Sequence, residues 1–352
     1  MFIYVIFITI LFMEGIIFDG KKLIPGGTNC KKSIDLDMLF VVLTLIVFAG
    51  IRNTRLGVDL WNYENSFHWR SDLSIIEVIA SIDKERLYHV FAWIVSRFTH
   101  NFSCHILIVA TISIIPIVFF IRKYSKIRWL SVWLYVCMGF YTFGFSALRQ
   151  SMAIGLTVFS LYFIEENSYK KAAFTFLIAF GFHMSAILCI PFFFLKKIKV
   201  NRTVIMAIPM LAAFVILFRN QILFVGSKIL RREYESIATG GKIWYIALIV
   251  MVVAGYLYRK HVWTEEQDWH LFLILSAAAI IMPVCFSNPV LFRANLYYTI
   301  YLCIYLPKLV CSLNTRNEKI LVTTIIMIVS SYYFFYKALP GAHLETYQFV
   351  WQ

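Results

Sequence analysis

Charged side chains are what this sequence has fewest of: Asp, Glu, Lys and Arg make up 15% of its 352 residues. Soluble chains carry about 25%. With 61% hydrophobic residues, a water-soluble globule is excluded, because an interior of this size could not hide so much apolar surface. Acids are scarcer still, 19 against 33 Lys and Arg, and nowhere do they gather into a set of metal ligands. The seven cysteines are odd in number, lie mostly in apolar runs and lack metal-ligand spacing, which excludes both a disulfide framework and a zinc site. No stretch the size of a soluble domain interrupts the apolar runs, so a single integral membrane domain, residues 1–352, is expected. No repeat relates the two halves, as it would in many transporters. The first run, 2–18, has neither a basic n-region nor a small-residue cleavage site and reads as a helix rather than a cleaved signal.

What the chain does have is apolar runs long enough to cross a hydrocarbon core of about 30 Å. They predict an all-α polytopic membrane protein, its candidate spans at 2–18, 37–51, 104–121, 129–146, 148–164, 172–195, 203–218, 243–258, 270–286, 294–311 and 320–337. The net charge of +14 is then largely a topology signal. Lys21, Lys22, Lys31 and Lys32 put the first loop in the cytoplasm. Arg122, Lys123, Lys126 and Arg128 mark the next cytoplasmic loop, and Lys170 and Lys171 the one after. Residues 52–100 then lie on the outer face, with 88–100 as an interfacial helix. Lys196, Lys197, Lys199 and Arg202 read as cytoplasmic too, so 172–195 is expected to be a re-entrant hairpin turning near His183. The basic stretch 219–242, with Lys228, Arg231, Arg232 and Tyr234, becomes an outer loop.

That topology collects several polar residues on one side. Arg149 and Arg293 are each expected in the first turn of a helix entering from the outer face. There, orphan backbone N–H groups, the helix dipole and a bidentate guanidinium all suit phosphate. The bland alternative is that each merely snorkels to the headgroups. Small residues (Ser151, Gly155, Ala153, Thr157) follow Arg149 and allow a close helix neighbour. The segment Arg52, Arg55, Gly57, Asp59, Trp61, Tyr63, Phe67, Trp69 reads either as a saccharide platform or as an interfacial aromatic belt. Glu85 is either a site carboxylate or a partner for the helix dipole. Histidine as a residue type can exchange a proton near neutral pH, so His183 suits a general base; a buried packing histidine is the alternative. Asp35 and Asp37 have the spacing of a metal–nucleotide motif, but they sit among cytoplasmic lysines and are discounted. The basic residues are scattered between spans, so nucleic acid is not an expected partner.

Gly57-Val58-Asp59 with Tyr63 and Phe67, then Glu85 to Tyr88, Leu148-Arg149-Gln150, Phe182-His183-Met184-Ser185-Ala186, Arg293 with Tyr297-Tyr298, and an aromatic tail near Tyr347 follow in order. This set resembles the EpsG-like, Wzy-type polymerases of bacterial polysaccharides over nearly the whole chain. The resemblance implies a GT-C-like bundle of about ten to twelve transmembrane helices in the bacterial cytoplasmic membrane, its active site on the outer, periplasmic face. It implies undecaprenyl-diphosphate-linked oligosaccharides as donor and acceptor, a chain-length regulator as a partner, and inverting transfer without cofactor or metal. On that pattern Arg149 and Arg293 hold the diphosphate, and His183, Asp59 or Glu85 supplies the base. Arg52, Arg55, Gln150, Tyr63 and Tyr297 contact substrate. A flippase of lipid-linked oligosaccharide and a related glycan ligase remain rival readings.

The hairpin can be tested directly. A cysteine placed at Lys197 in an otherwise cysteine-free chain should resist impermeant thiol labelling from outside the cell. Labelling there would require a single crossing.

Overall fold

The computed structural model describes residues 1–19, 36–81, 84–230, 242–286 and 289–352. Apolar runs become helices because every backbone polar group must be satisfied within its own segment when no water is at hand. The only β pairing among the described residues is one antiparallel bridge, Arg52 with Phe349. Three helices are by themselves long and apolar enough to cross a membrane, Phe102–Tyr124, Glu266–Cys285 and Arg316–Gly341, with several shorter apolar helices beside them. The protein is thus a helical membrane protein.

The chain divides into two compact units, Met1–Ile187 with Leu313–Gln352, and Leu188–Ser312. The first unit opens with α1 (Phe2–Asp19), α2 (Leu36–Gly50), α3 (Leu60–Ser71), α4 (Ile75–Ala80) and α5 (Arg86–Phe98). Next come α6 (Phe102–Tyr124), α7 (Arg128–Cys137), α8 (Phe140–Phe143), α9 (Leu148–Glu165) and α10 (Tyr169–Phe182). The expected interfacial helix is α5: Tyr88, Ala92, Val95 and Ser96 are buried, a spacing that puts one face inward. The expected span 129–146 is broken instead, since α7 stops at Cys137 and Gly139 takes φ +83° before α8.

The second unit holds α11 (Phe192–Leu195), α12 (Arg202–Leu217), α13 (Arg219–Leu230), α14 (Lys242–Leu257), α15 (Arg259–Val262), α16 (Glu266–Cys285), α17 (Pro289–Thr299) and α18 (Leu302–Cys311). Here the segment expected as an outer loop, 219–242, begins as α13, bent 72° from α12. Arg231, Arg232 and Tyr234 fall outside the described residues. The expected span 294–311 divides into α17 and α18. A buried ion pair, Lys308 with Asp268, ties α18 to the start of α16, and Asp268 also accepts from the Glu265 N–H at 2.9 Å. The chain returns to the first unit with α19 (Arg316–Tyr333), capped by the reciprocal Thr315–Glu318 pair. A π-helical turn, Phe334–Ala338, then leads into the short α20 (Leu339–Gly341).

The segment expected to be a hairpin is interrupted at His183. Helix α10 has 14 residues, about 21 Å at 1.5 Å per residue, short of a full crossing. His183 is extended at φ −153°, ψ 121°, and a 3₁₀ turn follows over Met184–Cys189.

Small residues set how α6 and α9 meet. Ser113 and Ser151 hydroxyls lie 3.2 Å apart, and a Cβ on Gly155 would come within 2.5 Å of the Ser113 carbonyl oxygen. The first unit's core, including Phe67, Tyr88, Ile106, Leu148, Met152 and Phe182, joins α3, α5, α6, α9 and α10. Gly155→Ala should therefore destabilise the protein. Overpacking costs about 1–3 kcal/mol, which outweighs the gain of about 1 kcal/mol in helix propensity. The change is read as a lower Tm in detergent; an equal or higher Tm would mean the two backbones do not meet here.

Candidate active site

Register does the first part of the assembly. Ser160 of α9 donates to the Ala172 carbonyl of α10 at 2.8 Å. Eleven residues separate Arg149 from Ser160, and eleven separate Ala172 from His183. That is about three helical turns in each antiparallel helix, so the same faces meet again where α9 begins and α10 ends. Arg149 is the second residue of α9 and His183 caps α10. Both are thus presented at one end of the pair.

Between them comes Glu85, the residue that opens α5. It holds a left-handed backbone, φ 57°, ψ 40°, a conformation that costs about 1–3 kcal/mol in a residue with a side chain. Its carboxylate does not cap its own helix. Instead Oε2 accepts from Arg149 Nη1 at 2.6 Å, and Oε1 pairs with His183 Nδ1. The Met184 backbone N–H donates to the same carboxylate. Glu85 is 10% exposed, His183 27% and Arg149 34%, so the cluster is sheltered yet reachable.

Aromatic rings frame it. Arg149 Nε donates to Tyr63 Oη at 3.3 Å, and its guanidinium lies 5.4 Å from the Tyr63 ring and 5.8 Å from the Tyr88 ring. Those two rings meet edge to face at 5.7 Å. The Tyr88 hydroxyl is fixed 3.1 Å from His105 Nε2. Arg70, two turns after Tyr63 on α3, is buried and curls back to donate to Ser66.

The electrostatics follow from these contacts. Burial alone would raise the Glu85 pKa. The His183 and Arg149 partners and the Met184 N–H outweigh it and hold the carboxyl below its usual range. Burial, with Arg70 and Arg149 adding to it against Glu85, pushes His89 down to about 4, so it is neutral at pH 7. Burial also keeps the Tyr88 hydroxyl protonated.

Four of the residues expected from sequence (Tyr63, Glu85, Arg149 and His183) thus come together from four separate segments. Asp59 sits one turn ahead of Tyr63, at the N-cap of α3, where its side chain makes no capping bond. Gln150 is buried beside Arg149 in α9, and Arg55 is exposed. Arg52 is buried at the end of α2 rather than presented to solvent. Arg293 and Tyr297 belong to α17 in the second unit, Arg293 exposed and Tyr297 buried. Because α17 starts at Pro289, Arg293 stands in the second turn, not the first. Reading the sequence missed Tyr88, His89, Arg70 and His105 as site neighbours. A signal existed for Arg70, seven residues after Tyr63; none pointed to His105.

With the geometry in place, comparison with known proteins is informative. A model of the EpsG family matches residues 36–351. The chain belongs to the EpsG family. This EpsG-family protein is also similar to the amylovoran biosynthesis protein AmsC of Erwinia amylovora, 25% identical over 186 residues covering 50% of each chain. It therefore spans about half the length of that curated relative. No solved structure matches it.

The two shifted groups predict two separate pH windows. Glu85, with its folded pKa depressed, adds stability that is complete above its unfolded value near 4.5 and is lost as pH falls through the lower folded value. His89, also depressed, prefers the neutral form when folded, so its contribution is full above about 6.5 and erodes as pH falls toward about 4. Tm measured against pH should lose the step between about 6.5 and about 4 in His89→Gln and the step that begins below about 4.5 in Glu85→Gln. At pH 7 Glu85→Gln should cost about 1–3 kcal/mol. A variant whose profile overlays the parent's would refute that assignment.

Proposed function

We infer that this protein is a polysaccharide polymerase that moves a glycan from undecaprenyl diphosphate to the non-reducing end of another lipid-linked repeat unit, on the outer face of the bacterial cytoplasmic membrane. The single observation that carries this reading is Glu85 gripping Arg149 with one oxygen and His183 with the other. Membership of the EpsG family and similarity to a protein named for amylovoran biosynthesis support polysaccharide synthesis as the setting.

The chemistry needs a base and a counter-charge, and both are at hand. With Nδ1 turned to Glu85, His183 keeps Nε2 as its basic nitrogen. An acceptor hydroxyl in hydrogen-bond reach of Nε2 gives up its proton there while its oxygen attacks the anomeric carbon. The bond from that carbon to the diphosphate oxygen breaks with its electron pair, and the configuration inverts. The new charge falls on phosphate oxygens beside the Arg149 guanidinium. Fixed guanidinium charge in a sheltered site stabilises such an oxyanion far better than water does. No divalent ion is called for, because Glu85, the carboxylate in the cluster, is already committed to Arg149 and His183. Tyr63 and Asp59 line the approach of the acceptor sugar.

The test uses membrane vesicles supplied with a lipid-diphosphate-linked repeat unit, with polymer ladders as readout. His183→Ala should slow polymerisation about 10²–10⁴-fold, and Arg149→Ala about 10²–10³-fold. Arg149→Lys should recover only part, since a point charge cannot bridge two oxygens. Chelator should leave the rate unchanged. Normal ladders from both alanine variants at normal protein levels would overturn the reading. Loss in chelator restored by a divalent ion would overturn its metal independence.

A further inference from the structure

Arg52 was expected to meet substrate, but it is 1% exposed, at the end of α2 where no acid pairs with it among the described residues. Its Nη1 donates to the Ala49 carbonyl in the last turn of α2. Its guanidinium lies 4.5 Å over the Phe145 ring, close to Tyr4, Tyr141 and Tyr347. Nε and Nη2 have no partner. The charge is offset by aromatic faces and by the negative end of the α2 dipole. Replacing a buried ionic group by an apolar one of similar size is often neutral or stabilising. A purely packing role would therefore not need arginine here.

The surroundings suggest what it does. Phe145, under the guanidinium, is followed by Ser146, whose hydroxyl accepts from the Val58 N–H at 3.3 Å. Gly57, at φ +136°, lies so close to the Phe145 carbonyl that any Cβ would collide with it. This one contact joins the loop that launches α3, with Tyr63, to the turn that launches α9, with Arg149. On the other side the C-terminal segment lies along the same loop as a strap. Val350 N–H donates to the Ile51 carbonyl at 2.7 Å and Asn53 N–H to the Gln348 carbonyl at 2.8 Å. The Tyr347 hydroxyl bonds the Phe48 carbonyl, and Tyr141 bonds the Leu45 carbonyl at 2.7 Å.

We propose that Arg52 is a positioning residue for the polymerase reaction. Stacked on Phe145 and closed in by the strap at Tyr347, it locks the Gly57–Val58 loop onto the Phe145–Ser146 turn. That lock sets Tyr63 against Arg149. The guanidinium serves because its flat face stacks on the ring while one edge reaches the Ala49 carbonyl of α2, which neither lysine nor methionine can do together.

The proposal rests on the polymerase reading, so its test has one readout that does not. In a chain otherwise free of cysteine, Val58→Cys with Ser146→Cys should be bridged efficiently by a short bis-thiosulfonate reagent. Adding Arg52→Met should cut bridging at least about five-fold. With native cysteines, Arg52→Met should lower kcat for polymer about ten- to a hundred-fold, as a misplacement of about 1 Å can, with KM for the lipid-linked substrate within about two-fold. Arg52→Lys should fall between parent and Met. Unchanged bridging and kcat in a folded Met variant would overturn the proposal. So would a KM effect with bridging intact, which would return Arg52 to substrate contact. If the Met variant does not accumulate, Tyr347→Phe decides by the same measurements: lowered bridging with lowered kcat supports the lock, and parental values in both overturn it. Loss of bridging in a system where even the parent makes no polymer would uphold the lock and sink the polymerase reading.

Discussion

Everything in the first unit's polar cluster depends on a carboxylate shared between a guanidinium and an imidazole. Glu85 stands at the head of α5, and its two oxygens tie down the head of α9 and the tail of α10. Three helix ends are thereby fixed by one side chain. The cost is visible: a left-handed backbone at a non-glycine residue and the partial burial of an ion. Both persist because the surrounding partners over-determine the position. An acid that served only the helix dipole would cap its own first turn, and this one does not.

Charge balance explains why such a cluster suits an anion. Arg149 and Glu85 cancel, burial and its cationic neighbours keep His89 neutral, and Arg70 remains as uncompensated positive charge nearby. Close packing keeps that arrangement rigid. With Gly155 of α9 against Ser113 of α6 and Ser160 bonded across to Ala172, α9 cannot slide along either neighbour without carrying Arg149 out of reach of both Tyr63 and Glu85.

The sequence disclosed which residues mattered more readily than what they touch. Arg149, Glu85 and His183 stand out because ionisable groups beside apolar segments are expensive, and that cost is legible without coordinates. Helix identity was legible for the same reason. Element ends were not: Gly139 breaks one expected span, and Pro289 starts α17 five residues before the expected span and so moves Arg293 off the first turn. Neither is written in hydropathy, which averages over windows longer than a break. Long-range pairing was the other blind spot. Lys308 is 40 residues from Asp268, and nothing local announces that they meet. The burial of Arg52 was hidden for a related reason: in a stretch that also holds Asp59 and Trp61 it resembles a surface residue, and the C-terminal segment returns to lie along it.

On the proposed reading, sharing Glu85 between Arg149 and His183 links the two halves of the chemistry. A diphosphate arriving at Arg149 offers two phosphoryl groups to a guanidinium that otherwise leans on a single carboxylate oxygen. As Arg149 turns to it, Glu85 loses part of one partner and is left to interact more strongly with the other. A carboxylate facing Nδ1 stabilises the imidazolium that forms when His183 accepts a proton. Binding the leaving group would therefore leave Glu85 facing His183 alone, whereas an empty site shares that carboxylate with Arg149. A single acid between two basic groups, rather than a separate acid for each, is what makes that coupling possible.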